Sequence, residues 1–131
     1  MVLKSIKQLN QNSYISLKEF DVREDDKEFL IDLCRKTILH HQDYNEEIND
    51  KTPNWDTDRI ADIDLILIKM AITEFLYFPS IPTKVSINEY IEIAKDYSTL
   101  KSSYFINGVL DKILKDYNNS DRLNKIGRGL L

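Results

Sequence analysis

Apolar residues recur along this chain every three or four positions, in runs separated by short polar breaks that carry proline, asparagine or serine. Phe29, Leu30, Leu33, Cys34, Thr37, Ile38, His41, Tyr44 and Ile48 keep the i, i+3, i+4 rhythm of one helical face. That rhythm predicts one helix over 25–49, with Asp25 or Asp26 as its N-cap and Glu28 placed to complement the helix dipole. Pro53 closes the connector that follows. Asp56 or Thr57 is placed to cap the next helix, whose apolar residues run from Ile60 and Ile63 through Leu76. Between Leu65 and Ile72 only Lys69 is polar, and a helix apolar on every side belongs at the centre of a bundle.

Pro79 and Pro82 end that central helix, because proline lacks the N–H that continuation needs and biases the residue before it toward extended geometry. Pro82 then suits the first position of a third helix, whose inward stripe is predicted to hold Val85, Ile87, Ile91 and Ala94 together with Tyr90. Glu89, Glu92, Lys95 and Asp96 lie off that stripe. Ser98 and Thr99 break and recap the chain, and a last helix over 101–117 is predicted to bury Ile106, Val109, Leu110, Ile113 and Tyr117. Asn107-Gly108 would signal a hairpin between alternating flanks, but these flanks have helical period. A glycine at 108 costs the helix about 1 kcal/mol relative to alanine, which predicts a close approach of another helix there. The polar, basic end, 118–131, is expected to be weakly packed.

The amino-terminal segment, 1–24, reads as a short helix on Val2, Leu3, Ile6 and Leu9, followed by a connector. With 25–117 as the helical domain and 118–131 as a tail, the 131 residues make one domain, long enough to bury roughly two thirds of the surface its unfolded form exposes. Hydrophobic residues at 42%, charged residues at 31%, and three each of glycine and proline suit a soluble helical protein better than a turn-rich β fold. The expected architecture is an all-α orthogonal bundle whose short connections make sequential helices neighbours.

The single cysteine excludes an internal disulfide framework and points to a reducing cytoplasm; Cys34 itself reads as a small core residue. No signal peptide or membrane-spanning run is visible. His40 and His41 point about 100° apart and cannot hold one metal between them, so no metal or other cofactor is expected. Glu89 and Glu92, with Lys95 one turn on, read as solvated, salt-bridged charge. With no phosphate loop or nucleophile motif present, the chain is not expected to be an enzyme. Four acids, Asp56, Asp58, Asp62 and Asp64, crowd the start of the central helix, where capping and dipole complementation account for acids. The net charge of −4 argues against a general electrostatic grip on nucleic acid, so RNA binding would need a local patch.

Two phrases carry a family resemblance: Pro82-Thr83-Lys84-Val85-Ser86-Ile87-Asn88-Glu89-Tyr90-Ile91-Glu92-Ile93-Ala94-Lys95, then Phe105-Ile106-Asn107-Gly108-Val109-Leu110-Asp111-Lys112. In that order and spacing they resemble the carboxy-terminal half of the NusB family of bacterial transcription antitermination factors. The likeness extends upstream through Arg59, Ala71 and Glu74, and more loosely to Phe29. It does not include the arginine-rich opening helix usual in the family, which nothing over 1–21 matches. Longer proteins of this kind carry the same domain behind an additional amino-terminal half, and the resemblance is compatible with an excerpt from one.

The resemblance implies a NusB-type bundle that acts as a non-enzymatic adaptor, binding boxA-type RNA together with the ribosomal protein NusE within the transcription antitermination complex. It implies that Phe105 contacts RNA and that Asp58 and Asp64 face NusE; beside Phe105, Lys101 and Lys84 are this chain's own candidates to touch phosphates. Two other readings go with it: an accessory RNA-binding domain of a larger ribosomal RNA methyltransferase, and a structural helical domain that packs on a missing amino-terminal half.

Overall fold

The computed structural model describes residues 24–53 and 60–131. These form five α-helices, α1 (Glu24–Leu39), α2 (His41–Lys51), α3 (Asp62–Tyr77), α4 (Thr83–Tyr97) and α5 (Leu100–Asn119), and a 3₁₀ turn at Gly127–Leu130. No strand occurs among the described residues, so the fold is the all-α bundle that the periodicity predicts. The expected amino-terminal helix lies outside the described residues.

Helix α3 touches all four of the others, which is what its nearly continuous apolar surface requires. Leu67, Ile68, Ala71, Ile72 and Phe75 on α3 meet Ile87, Tyr90, Ile93 and Ala94 on α4. Ile106, Val109, Leu110, Ile113 and Tyr117 on α5 and Tyr44 and Ile48 on α2 complete the core. The buried apolar positions of α5 are those the sequence predicts, with Ser103 buried beside them, and Thr99 caps the helix by accepting from Ser102 N at 2.9 Å.

Several expectations need correction. The run over 25–49 is two helices joined at His40, whose backbone sits at φ −103°, ψ 12°. Hydrogen bonds continue across the joint, His40 N donating to Lys36 O and Tyr44 N to His40 O, so the chain changes direction at one residue without losing the ladder. Packing on α3 fixes the bend: the His40 imidazole stacks on Tyr77 with centroids 5.1 Å apart, and the Tyr44 hydroxyl lies 3.1 Å from that of Thr73. Helix α3 begins at Asp62 with Ala61 as N-cap and no side-chain cap; the expected caps Asp56 and Thr57 lie outside the described residues.

In α4, Val85 is 44% exposed while Ser86 is fully buried, because Ser86 Oγ donates to Glu74 Oε1 at 2.9 Å and that polar pin sets the register. Pro82 is the residue just before the first turn, a one-position difference from expectation. Cys34 is exposed, turned away from the core that Leu33 enters.

Gly108 and Gly129 also depart from expectation. Gly108 faces open space, with nothing within 4 Å of where a Cβ would stand, so no helix crosses there. The close approach is at Gly129, where a Cβ would overlap the Pro79 carbonyl oxygen. This reflects a tail that is docked, contrary to expectation. Ile126 N donates to Pro79 O at 3.0 Å, and Lys125 Nζ donates to Glu74 O at 3.0 Å and Phe78 O at 2.9 Å, adding a charged donor to two carbonyls at the end of α3 that also accept from the Phe78 and Ile81 amides.

Candidate nucleic-acid interface

The Thr99 cap fixes where α5 starts and so fixes which residues of its first turns face outward. Lys101 and Tyr104 are exposed, Tyr104 at 69%. Phe105 is half-buried and packs against the core cluster, which anchors the ring and leaves part of it at the surface. Lys101 and Phe105 are four residues apart on one helix and therefore neighbours. Structure thus brings these two candidates together. Lys84 is exposed in the first turn of α4, at the far end of that helix from the α4–α5 joint, roughly 20 Å along the axis at 1.5 Å per residue. It does not join Lys101.

Of the two candidate acids, Asp58 lies outside the described residues. Asp64 is in the first turn of α3, where a carboxylate complements the dipole, but only 4% of it is exposed and its Oδ1 meets no partner among the described residues. It is a buried acid and not a rim charge. Asn45 Oδ1 and Glu89 Oε2 are likewise buried and unpartnered among the described residues; the reading of Glu89 as fully solvated therefore fails, while Glu92 does pair with Lys95 at 3.5 Å. His40 is half-buried and His41 exposed.

Two polar clusters escaped the sequence reading. In the first, the carboxylate of Glu74 accepts from Ser86 Oγ and, through a short bond, from the Tyr90 hydroxyl. Burial pushes the Glu74 carboxyl above the ordinary carboxylate range, against the opposing pull of those two hydrogen bonds and of Lys125. Burial, with the Glu74 charge next, drives the Tyr90 hydroxyl well above its usual value, and burial lowers Lys125. An acid and two hydroxyls so enclosed hold α3 against α4 and offer no open face to a substrate. The available signal was Glu74 itself, a charge set in an otherwise apolar run.

The second cluster closes a cleft of about 460 Å³ between the ends of α2 and α5. Glu47 accepts from the Tyr117 hydroxyl and, at 2.9 Å, from Arg122, whose guanidinium lies 4.2 Å over the Tyr117 ring. Lys51 pairs with Asp116. With Glu47 paired to Arg122 and Lys51 to Asp116 across it, this cleft staples the two helices. Among the described residues no cluster of three His, Cys, Asp or Glu is placed to hold a metal, and no helix is long and apolar enough to cross a membrane.

The sequence model of the NusB family matches residues 2–115, reaching further toward the amino terminus than the motifs alone. A transcription antitermination protein NusB from Salinibacter ruber is 48% identical over 105 residues, 80% of this chain and 66% of that protein. Proteins of the same name from Chloroherpeton thalassium, 45% identical over 105 residues, and Methylacidiphilum infernorum, 44% over 91 residues, match 80% and 70% of this chain and 50% and 64% of their own lengths. The chain thus spans half to two thirds of the length of these relatives. No solved structure matches it at a significant level.

Proposed function

This chain belongs to the NusB family, and from that premise we propose that it serves as a transcription antitermination adaptor, binding boxA-type RNA together with the ribosomal protein NusE and performing no catalysis. The observation that carries the reading is the 48% identity to a protein named for transcription antitermination. The start of α5 supports the RNA contact: Phe105 stacks a base with its exposed edge, and the neighbouring Lys101 touches phosphate. Lys84 reaches a separate part of the strand. Asp64 belongs to the NusE-facing end of α3, and Asp58, which precedes it in the sequence, is taken to share that role. Because Asp64 is buried, it acts by shaping that end, and Asp64→Asn is the substitution that tests it without forcing a cation into the interior.

With a net charge of −4, the chain gains little from counterion release over its whole surface, and stacking on one aromatic is worth about 1 to 3 kcal/mol. Alone, it should bind boxA-type RNA weakly, and measurably better once NusE is added. The test is a titration of labelled boxA-type RNA at fixed salt, with and without NusE, against the parent and Phe105→Ala. Tight binding by the chain alone, or an alanine variant that loses nothing in the three-part complex, would overturn the reading.

A further inference from the structure

Helix α5 winds about 100° per residue, which places Lys101, Tyr104, Phe105, Gly108, Lys112 and Lys115 within one arc of about 100°, opposite the buried stripe. All but Phe105 are exposed. None of the three lysines pairs with an acid among the described residues. No acidic residue lies in the arc; Asp111 and Asp116 border it on either side, and Asp116 is engaged by Lys51. Dipole complementation does not account for the lysines, since none falls in the last turn of α5 and the dipole's influence fades within that turn. In a chain of net charge −4, this is a continuous cationic strip with an aromatic at its head and a gap over Gly108.

We propose that this strip is a track for single-stranded RNA: Tyr104 stacks a second base beside the one at Phe105, the open backbone at Gly108 lets the strand lie close to the helix, and Lys112 and Lys115 hold the phosphates that follow. The inference rests on the RNA-binding reading and extends it to residues nothing assigns. A polyanion fits the unpaired lysines, and a nucleic acid fits better than an acidic polypeptide because a half-free tyrosine beside a side-chain-free position presents a flat face for a base. The strand's path then runs between the α4–α5 joint and the carboxy-terminal end of α5.

The test titrates one labelled boxA-type RNA, in the presence of NusE, against the parent, Phe105→Ala, Tyr104→Ala and the double variant Lys112→Gln with Lys115→Gln, at several salt concentrations. Circular dichroism confirms that the exposed substitutions leave the fold intact. The double variant should weaken binding and lower the slope of log affinity against log salt by about 1.4, two single-strand phosphates at about 0.7 each. Tyr104→Ala should weaken binding at least fivefold with no change of slope. A 4-thiouridine in the RNA should crosslink to peptides containing Tyr104. If Phe105→Ala weakens binding while the double variant and Tyr104→Ala match the parent in affinity and slope, the track is wrong and RNA binding stands. If the parent binds no RNA under any of these conditions, both fall. Polyglutamate competing for the strip as well as the RNA does would likewise overturn the track, making the strip a docking face for acidic protein.

Discussion

Glycines 108 and 129 show how much a single residue's role depends on what the rest of the chain brings near it. A glycine inside a helix is costly, and the usual reason for keeping one is a crossing backbone; at 108 there is none. Gly108→Ala should therefore stabilise the fold by about 1 kcal/mol, the helix-propensity difference, and raise the melting temperature. A lower one would mean that something fills the space. Gly129→Ala should act the other way, because its methyl group meets the Pro79 carbonyl, a backbone atom that cannot swing aside. Neither outcome was legible in the sequence, where Gly108 sits amid a strong helical pattern and Gly129 in a polar tail. Contacts between segments distant in the chain decide both. Cys34 is a similar case: the period put it on the α1 face with Leu33, and one hundred degrees of helix separate the buried residue from the exposed one.

At the scale of the helices, the period of apolar residues was sufficient to find the helical stretches, with α1 and α2 read as one, and the central place of α3. It misjudged the joints and the register of α4. His40 bends the chain because its ring finds Tyr77 on another helix, and no local pattern announces that. Val85 and Ser86 exchange their expected places because Glu74 needs a hydroxyl more than the core needs a valine: a buried carboxylate without donors is far costlier than a half-exposed valine. That pin has a pH signature. Burial keeps the Glu74 proton bound to higher pH in the folded chain than in the unfolded one, with Tyr90, Ser86 and Lys125 opposing and Glu89 adding to the rise. The stabilisation is complete below the unfolded value of 4.5 and is lost as pH rises through the folded value, since the unfolded state then binds fewer protons. Glu74→Gln retains an acceptor for Ser86 and offers an N–H to Tyr90, so urea midpoints measured across pH should fall less steeply above 4.5 for the variant. Parallel curves would remove Glu74 from the pH dependence. Glu74→Leu strands two buried hydroxyls and should cost about 1 to 3 kcal/mol for each.

Over the whole molecule, the bundle is closed by residues the sequence marks only as polar and basic. Arg122 reaches back 75 residues to Glu47 and Lys125 back 51 to Glu74, while Leu123 packs against the core. The segment after α5 thus ties the end of α2 and the end of α3 to the helix it follows. The composition could not reveal this, because a lysine that caps carbonyls and a lysine in water are the same letter; the family motifs, which concern α4 and α5, stop short of it. The consequence is measurable. A chain ending at Asp121 loses the Arg122–Glu47 pair, two charge-assisted hydrogen bonds to the α3 carbonyls, the Ile126–Pro79 bond and the burial of Leu123, about 4 to 7 kcal/mol in sum, which lowers the melting temperature by roughly 15 to 25 °C. Its helical circular dichroism should persist, since every helix of the bundle is retained. Hydrogen exchange should localise the change: the amides of Phe78 and Ile81, bonded to Glu74 O and Phe78 O, should exchange faster by more than the fall in global stability, while those in the middle of α5 speed up only by that fall. Because the strip proposed to bind RNA lies on the outer face of α5, away from this closure, the shortened chain should, on that proposal, bind RNA with the parent's salt slope below its melting temperature. A truncated chain that melts with the parent would show that the tail is carried by the bundle without helping to hold it.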